Sequence, residues 1–563
     1  MKKKLFLIYG LISISLFIIL ALSTQNVPLF ADGSQHAGII REINKTGNIP
    51  LEDFQGTQRN NFNSPVSIRT PFLYYPLFYV LGAEVFISIS NLTCSLFLID
   101  LLSILISAFL IFIIFRKIFN LKIAILMFTL FLLSNFWLWE LVHRLMEPVI
   151  TLIFLTILYL IFLYNNLNKK ELFLFALFFS SLLLLKQSSL FILPPLFIPL
   201  IYKFRLKKSL SILFIFLLLI TPAMIYLISN TGSIGLTPPG IPIIDQYILH
   251  PWWNSSPSAW ESTLDILSDS ESLRKITLIQ FNNIQISPLN LFKNHNYLGI
   301  VQEFFIYPVM SQGHQGYSPI TQEYTFKIFC FLLIFSLVFS FKINYKKIKP
   351  DLKLFIVGVI SLLIFTLIGW ARSPVFRYFI FIDFLMLILL VLPILEFKKI
   401  NKKIAILIIF IVMMSICINL ASEVKRDNNY IYTVGHQALI SQNGGIFESI
   451  ELSKFIKDNT PTDSFVFTNI AEVGFYSERK IIWDDRLFFI KNKDDLKKIL
   501  KNYNFDYLVI PYYSGVESYD NWKYYQGIPK DSEFNKLLLD NSVFTKIKVY
   551  NSSTLYRFNK NET

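Results

Sequence analysis

The sequence predicts a mainly α-helical, polytopic membrane protein with a smaller α/β domain at its C-terminal end. Three observations predict it. Of the 563 residues 54% are hydrophobic, and they gather in long runs almost free of charge. A run of about 18 or more apolar residues is long enough to cross the hydrocarbon core as a helix. The runs, rich in Leu, Ile and the 56 Phe of the chain, lack the polar stripe of a helix packed on a soluble core. Past about residue 422 the pattern changes to mixed segments of strand and helix length.

About eleven spans are expected, near residues 5–22, 93–115, 121–139, 149–164, 172–185, 190–202, 209–228, 325–341, 354–370, 378–395 and 404–421. The first follows Lys2, Lys3 and Lys4. It is long and lacks a small-residue cleavage site after it, so it reads as an uncleaved span rather than a signal peptide. Charge orients the set. With the N-terminus cytoplasmic, the inside connections hold 21 Lys and Arg, including Lys203, Arg205, Lys207 and Lys208. The short outside connections hold only Arg144, Lys186, Arg372 and Arg377. Such asymmetry is the positive-inside pattern. It also accounts for the net charge of +14 without nucleic acid, because the basic residues lie in short clusters between apolar runs.

This topology expects a transmembrane domain over 1–421, with outside loops near 23–91 and 230–324, and an extracytoplasmic domain over 422–563. In the latter, Ser464–Asn469 and Tyr507–Pro511 read as strands, and Ser449–Asp458 and Lys493–Asn502 as helices. Cys94, Cys330 and Cys417 lie in or beside apolar runs, and a disulfide framework or zinc site is not expected.

Three groups of residues could carry chemistry. After the first span the chain reads Ala31-Asp32-Gly33-Ser34-Gln35-His36, then Ile39, Ile40 and Ile43 at helical spacing, with Gly47 and Pro50 as stop signals. Asp32 sits where an N-cap would sit, and His36, four residues on, shares its face. A carboxylate there is well placed as a base at the membrane face, or serves only as the cap. The second group is Glu140, His143 and Glu147, whose spacing could gather them on one helix face able to hold a metal. Glu147 before Pro148 equally suits a helix start through the dipole alone. The third group is cationic: Lys186 between two short apolar runs, and Arg372 and Arg377 about Ser373-Pro374. Charges near membrane depth are costly and suit a phosphate; snorkelling to the interface is the plain alternative. His250, Trp252, Trp253, Trp260, His295 and His314 mark the central loop, as an interface belt or as a lid with sugar-stacking rings. His436 and Asp383 have no assigned role.

Taken in order, these segments resemble the C-type glycosyltransferase superfamily, in its branch that uses polyprenyl-phosphate sugars. That branch includes protein O-mannosyltransferases and aminoarabinose transferases of lipid A. The resemblance rests on Asp32-Gly33-Ser34-Gln35-His36 with Ile49-Pro50, and on Arg69-Thr70-Pro71-Phe72-Leu73-Tyr74-Tyr75-Pro76-Leu77. It continues through Glu147-Pro148, Leu185-Lys186-Gln187 and Arg377-Tyr378. It covers roughly the first 400 residues, and the α/β tail is similar to tails of bacterial and archaeal members.

The resemblance implies transfer of a sugar, with inversion, from a polyprenyl-phosphate donor to an extracytoplasmic glycan, lipid or protein. It implies Asp32 as general base and Glu147 as a second acid orienting the acceptor or a metal. Lys186 and Arg377 would stabilise the departing phosphate, and His36, Tyr75, His143, Arg372 and Tyr378 would contact substrate. Relatives often carry Asp-Glu where this chain has Asp32-Gly33, and some work without metal, so a divalent cofactor is left open. A lipid-linked glycan polymerase or ligase would favour a central loop rich in arginine, yet that loop has only Arg274. A transporter would favour internal symmetry, which the sequence lacks. A scaffold with a sensing tail predicts that substituting Asp32 is harmless.

The orientation is directly testable. With the three native cysteines replaced by Ser, Lys45→Cys is expected to react with a membrane-impermeant maleimide on intact cells. Lys346→Cys should react only after permeabilisation. The reverse labelling would invert the topology.

Overall fold

The structure, a computed structural model, describes residues 2–23, 31–46, 91–132, 146–185, 192–231, 350–358, 445–468, 470–482, 492–503, 505–511, 533–550 and 553–560. Gln25, Leu29, Trp137, Glu140, Leu141, Arg144 and Ser361 are also described. The chain divides into two compact units. One comprises Met1–Pro28, Val85–Thr221 and Asn294–Gln437; the other comprises Leu29–Glu84, Pro222–Lys293 and Ala438–Thr563.

The first unit is helical. Its helices are α1 (Lys2–Ser23), α3 (Leu92–Ile118), α4 (Leu121–Leu132), α5 (Glu147–Leu163), α6 (Lys169–Leu185) and most of α7 (Leu193–Thr231), while α2 (Ala31–Thr46) belongs to the second unit. Two of these helices are long and apolar enough to cross a membrane, over Leu92–Ile118 and Leu193–Ala223; Ile8–Leu22 and Glu147–Leu163 are shorter apolar helices. The expected spans at 325–341, 378–395 and 404–421 lie outside the described residues, as does most of 354–370. The expected basic connection between the sixth and seventh spans falls at Arg205, whose φ of 68° and ψ of 159° are far from helical, so α7 is two helical segments that meet at a break there.

Helix α3 packs against both α4 and α5, with α1 on α4 and α6 on α5. Asn91 caps α3, its side chain accepting from the Cys94 N–H at 2.8 Å. In α1, Ser13, Phe17 and Ala21 are buried at four-residue spacing, while Ile8, Leu11, Ile12 and Ile19 are exposed. That spacing makes one face of a helix. Lipid is as apolar as these side chains, so close packing and interhelical hydrogen bonds must hold such helices together. Ser13 donates to Thr129 Oγ1 across α1 and α4 at 3.2 Å. Phe355 fills the base of the unit, its ring 5.5 Å from Phe115, 6.0 Å from Phe119 and 6.5 Å from Phe162.

The second unit contains α2 and a five-stranded mixed sheet. Its further elements are α8 (Gly445–Asn459), β1 (Phe465–Phe467), α9 (Ala471–Ser477), β2 (Lys480–Ile482), α10 (Lys493–Tyr503), β3 (Tyr507–Pro511), α11 (Glu533–Leu538), β4 (Phe544–Val549) and β5 (Ser553–Phe558). The strand order is β2-β1-β3-β5-β4, parallel about β1 and antiparallel about β5. Alternation along the strands gives two apolar faces. Val466, Ile481, Val509 and Leu555 pack with Leu452, Ile456 and Val473 of α8 and α9. Facing the other way, Phe467 and Phe544 join Phe505, Phe534 and Phe558, with ring centroids 4.7 Å to 6.4 Å apart.

Arg479 ties this unit together and is almost fully buried. It donates to the Lys457 and Thr460 carbonyls at 2.8 Å, to the Ser477 carbonyl at 3.0 Å and to Thr460 Oγ1 at 3.1 Å. A cation on the free carbonyls at the end of α8 also opposes the helix dipole. Hydrogen bonds to charged groups contribute about 1.5–3 kcal/mol each and do not add simply. Arg479→Ala is therefore expected to destabilise the C-terminal sheet by about 3 kcal/mol or more. Limited proteolysis of the full-length protein should then cut within 445–560 well before wild type does; unchanged resistance would remove Arg479 from this role.

Candidate functional site

Helix α2 carries the first candidate acid. The chain stops being helical at Thr46, just before Gly47, as the stop signals predict. At the other end the structure differs from expectation by a position or two. The helix opens at Ala31, so Asp32 is its second residue rather than its cap. A carboxylate in the first turn still meets the positive end of the dipole, which suits the placement as well as capping does. His36, one turn on, is fully buried, as are Ser34, Ala37 and Ile40. The small residues Gly33, Ser34, Ala37 and Gly38 make this a helix that can approach its neighbours closely.

The second acid, Glu147, opens α5 with Pro148 directly behind it. Pro is at home there because the first turn has no use for its missing N–H. Glu147 is 2% exposed and Glu140 is fully buried. The expectation that Glu140, His143 and Glu147 share one helix face is overturned. Arg144 stands between the acids as a turn residue with φ 55°, in the left-handed region, so no continuous helix joins them. Among the described residues no three His, Cys, Asp or Glu side chains could hold a metal ion. His143 lies outside the described residues, so that search does not bear on the three as a set.

Sequence reasoning counted Arg144 only as one of four outside charges. Among the described residues it is the largest side chain less than 2% exposed. Its Nη2 donates to the Gln25 carbonyl at 3.2 Å, and its guanidinium stands 5.0 Å from the Phe97 ring centroid. Gln25 in turn donates to Cys94 Sγ at 3.7 Å, so the segment after α1 is fastened to the start of α3. Asp100, fully buried in α3, was also passed over. It is an acid inside an apolar run of membrane length, and that is the signal that could have found it. With Ser103 and Ser107 it forms a buried polar stripe at helical spacing.

Asp32 and His36 lie in the second unit and Glu147 in the first. Tyr75, His143, Lys186, Arg372, Arg377 and Tyr378 lie outside the described residues. So do the Trp and His residues of the central loop, His436 and Asp383.

No family model matches the chain, and no curated protein matches it in sequence. Solved structures do match its fold. The archaeal oligosaccharyltransferase AglB from Archaeoglobus fulgidus, in complex with an inhibitory peptide and a dolichol-phosphate, superposes with a TM-score of 0.51 at 11% identity. That match covers 88% of this chain and 69% of the other. The same organism's oligosaccharyltransferase in complex with Zn and sulfate gives 0.51 at 12% identity, covering 90% and 67%. ArnT from Cupriavidus metallidurans bound to undecaprenyl phosphate gives 0.48 at 12% identity, covering 97% of each chain. The chain therefore shares its fold with these oligosaccharyltransferase structures.

Arg144 separates a turn role from a side-chain role. Glycine at φ 55° relieves backbone strain of about 1–3 kcal/mol. If Arg144 merely turns the chain, Arg144→Gly should be more stable. Loss of its buried contacts is expected to outweigh that relief, and the variant should melt several degrees lower in detergent. A raised melting temperature would assign Arg144 to the turn alone.

Proposed function

We propose that this protein is a membrane glycosyltransferase that moves a sugar, with inversion, from a polyprenyl-phosphate donor to an acceptor outside the cytoplasm. The observation that carries the reading is an acid in the first turn of a helix directly after the first apolar segment, in a fold shared with an oligosaccharyltransferase. The buried Glu147 at the start of α5 is consistent with it. In this reading the protein sits in the plasma membrane with many spans, its N-terminus cytoplasmic and residues 422–563 outside.

The chemistry follows from the residue types. Asp32 takes the proton from the acceptor hydroxyl as its oxygen bonds to the anomeric carbon. The bond from that carbon to the phosphate oxygen breaks, and the electron pair leaves with the polyprenyl phosphate. Phosphate is a good leaving group, so no general acid is needed. Lys186, Arg372 and Arg377 neutralise the charge that grows on it. Glu147 orients the acceptor, with His36, Tyr75, His143 and Tyr378 as substrate contacts. The central loop excludes water that would otherwise take the sugar. The proposed steps use no metal.

The test is transfer from a radiolabelled polyprenyl-phosphate sugar, with membrane extract as acceptor. Asp32→Asn keeps the size of the side chain and removes the base, and is expected to lower the rate about a hundredfold or more. Glu147→Gln is expected to raise KM for acceptor and lower kcat. Equal transfer by wild type and Asp32→Asn would return Asp32 to the role of a first-turn residue. Labelled lipid that crosses vesicles without being consumed would favour a transporter.

A further inference from the structure

Helix α2 does not stand alone in the second unit: it packs on α9, the short helix between β1 and β2. Two polar contacts fix it there, one on each side of Asp32 in the sequence. Ahead of the helix, Tyr476 donates its hydroxyl proton to the Leu29 carbonyl at 3.0 Å, and Leu29 is itself buried. Further along α2, Arg41 Nη1 donates to the Phe475 carbonyl at 2.7 Å. The Arg41 guanidinium also lies 4.9 Å from the Phe475 ring centroid. The rings of Phe475 and Tyr476 meet edge to face at 4.9 Å, so both attachment points share one aromatic pair.

Physical chemistry makes this more than a surface contact. The carbonyl of Phe475, in the last turn of α9, has no partner within the helix, and a cation there opposes the negative end of the dipole. Glu478 follows at the left-handed C-cap of α9. Its carboxyl is held below the usual range, first by the hydrogen bond from Lys457 and also by the charges of Lys457, Arg41 and Lys45. The basic end of α2 thus meets an acidic helix end. Burial pushes the Tyr476 hydroxyl up, so it remains a donor to Leu29 at any ordinary pH.

Helix α9 is rigidly held in its turn. Val473 lies in the core with Leu452, Ile456 and Val466. Ser453 Oγ donates to the Glu472 carbonyl at 3.3 Å, and Arg479 secures the exit from α9. Leu29 precedes α2 and Arg41 lies about 15 Å along it from Ala31, so the two contacts hold the entry to the helix and a point nearly three turns on.

We propose that the C-terminal α/β unit positions the Asp32 helix, with Tyr476 and Arg41 as positioning residues for the base. The inference rests on the proposed transferase reading for its catalytic half, and on the contacts between α2 and α9 for its structural half. A base displaced by about 1 Å can lose roughly a hundredfold in rate without loss of substrate binding.

The experiment uses the full-length protein in detergent and the same labelled donor and membrane extract. Tyr476→Phe removes one hydroxyl and keeps the ring; Arg41→Gln removes the charge; the two are also combined. Hydrogen exchange of the amides in 29–46 is expected to speed up about tenfold or more in the combined variant. Its kcat should fall about 10–100-fold, with donor KM within about twofold of wild type. Arg41→Lys, which still offers a cationic donor, should recover part of the rate. In an Asp32→Asn background the same pair should cost almost nothing further, because the group being positioned is gone.

Unchanged exchange in the combined variant overturns the proposal outright. Faster exchange with full transfer overturns the positioning role and leaves the transferase reading intact. Full transfer by Asp32→Asn overturns that reading and the catalytic half with it, while exchange still decides whether the α/β unit holds the helix. Should the combined variant fail to fold, the single Tyr476→Phe variant, which alters one hydroxyl, carries the same exchange and rate comparisons.

Discussion

Two lysines bind carbonyls at the C-terminal end of α5 and a third binds the turn after it, and the packing of the first unit is organised about them. Lys117 from the end of α3 donates to the Phe162 carbonyl, Lys203 donates to the Ile161 carbonyl at 2.6 Å, and Lys208 reaches the Leu167 carbonyl at 2.8 Å. The last four carbonyls of a helix lack partners within it, and an apolar bundle has little water to supply them. Ammonium groups satisfy these carbonyls and oppose the helix dipole at once. Because the donors come from α3 and α7, the same contacts also bind three helices at one level. The opposite end of α5 begins with a carboxylate. The helix is therefore matched in charge at both ends, acid at the start and bases at the finish.

This matching explains why the basic residues cluster as they do. Lys203 and Lys208 flank Arg205, where α7 leaves helical geometry for a single residue. From sequence, four basic residues in six positions read as a loop between two spans. The structure breaks the helix at Arg205, within that cluster, and sets the lysines on a neighbour's carbonyls. The chemical reason for the cluster is legible too: cations gather where helix ends need them.

Periodic and compositional signals were the legible ones. Leu92–Ile118 and Glu147–Leu163 fall within a few residues of the expected runs, because length and uniform apolarity are local properties. Tyr507–Pro511 is a strand over the same five residues that suggested one. What stayed hidden depends on partners distant in sequence. Nothing in Val142-His143-Arg144-Leu145 announces a left-handed arginine, since non-glycine residues seldom adopt that conformation. Arg479 carries no local signal, because its acceptors at Lys457, Thr460 and Ser477 assemble only when α8 and α9 pack. Likewise the docking of Arg41 on Phe475 joins residues 434 apart, beyond any window of local reading.

Both candidate acids sit in the first turn of a helix, where folding alone would favour a carboxylate, and magnitudes separate the two cases. A helix dipole contributes about 0.3–1 kcal/mol to such a group, and about 2 in a favourable partly buried setting. Asp32 needs no more explanation than that, so its proposed role stands on fold and motif. Glu147 is different: it is 2% exposed. Taking an ionised carboxylate out of water costs several kcal/mol even after relaxation, more than any dipole returns. The same short segment buries Glu140 completely and Arg144 to 1%. Replacing such a cluster by well-packed apolar residues is often neutral or stabilising. Stability by itself therefore gives no reason to place two acids and a strained arginine between two apolar helices. Charges in this position are costly, and that cost marks Glu140, Arg144 and Glu147 as candidates for a functional role rather than a structural one.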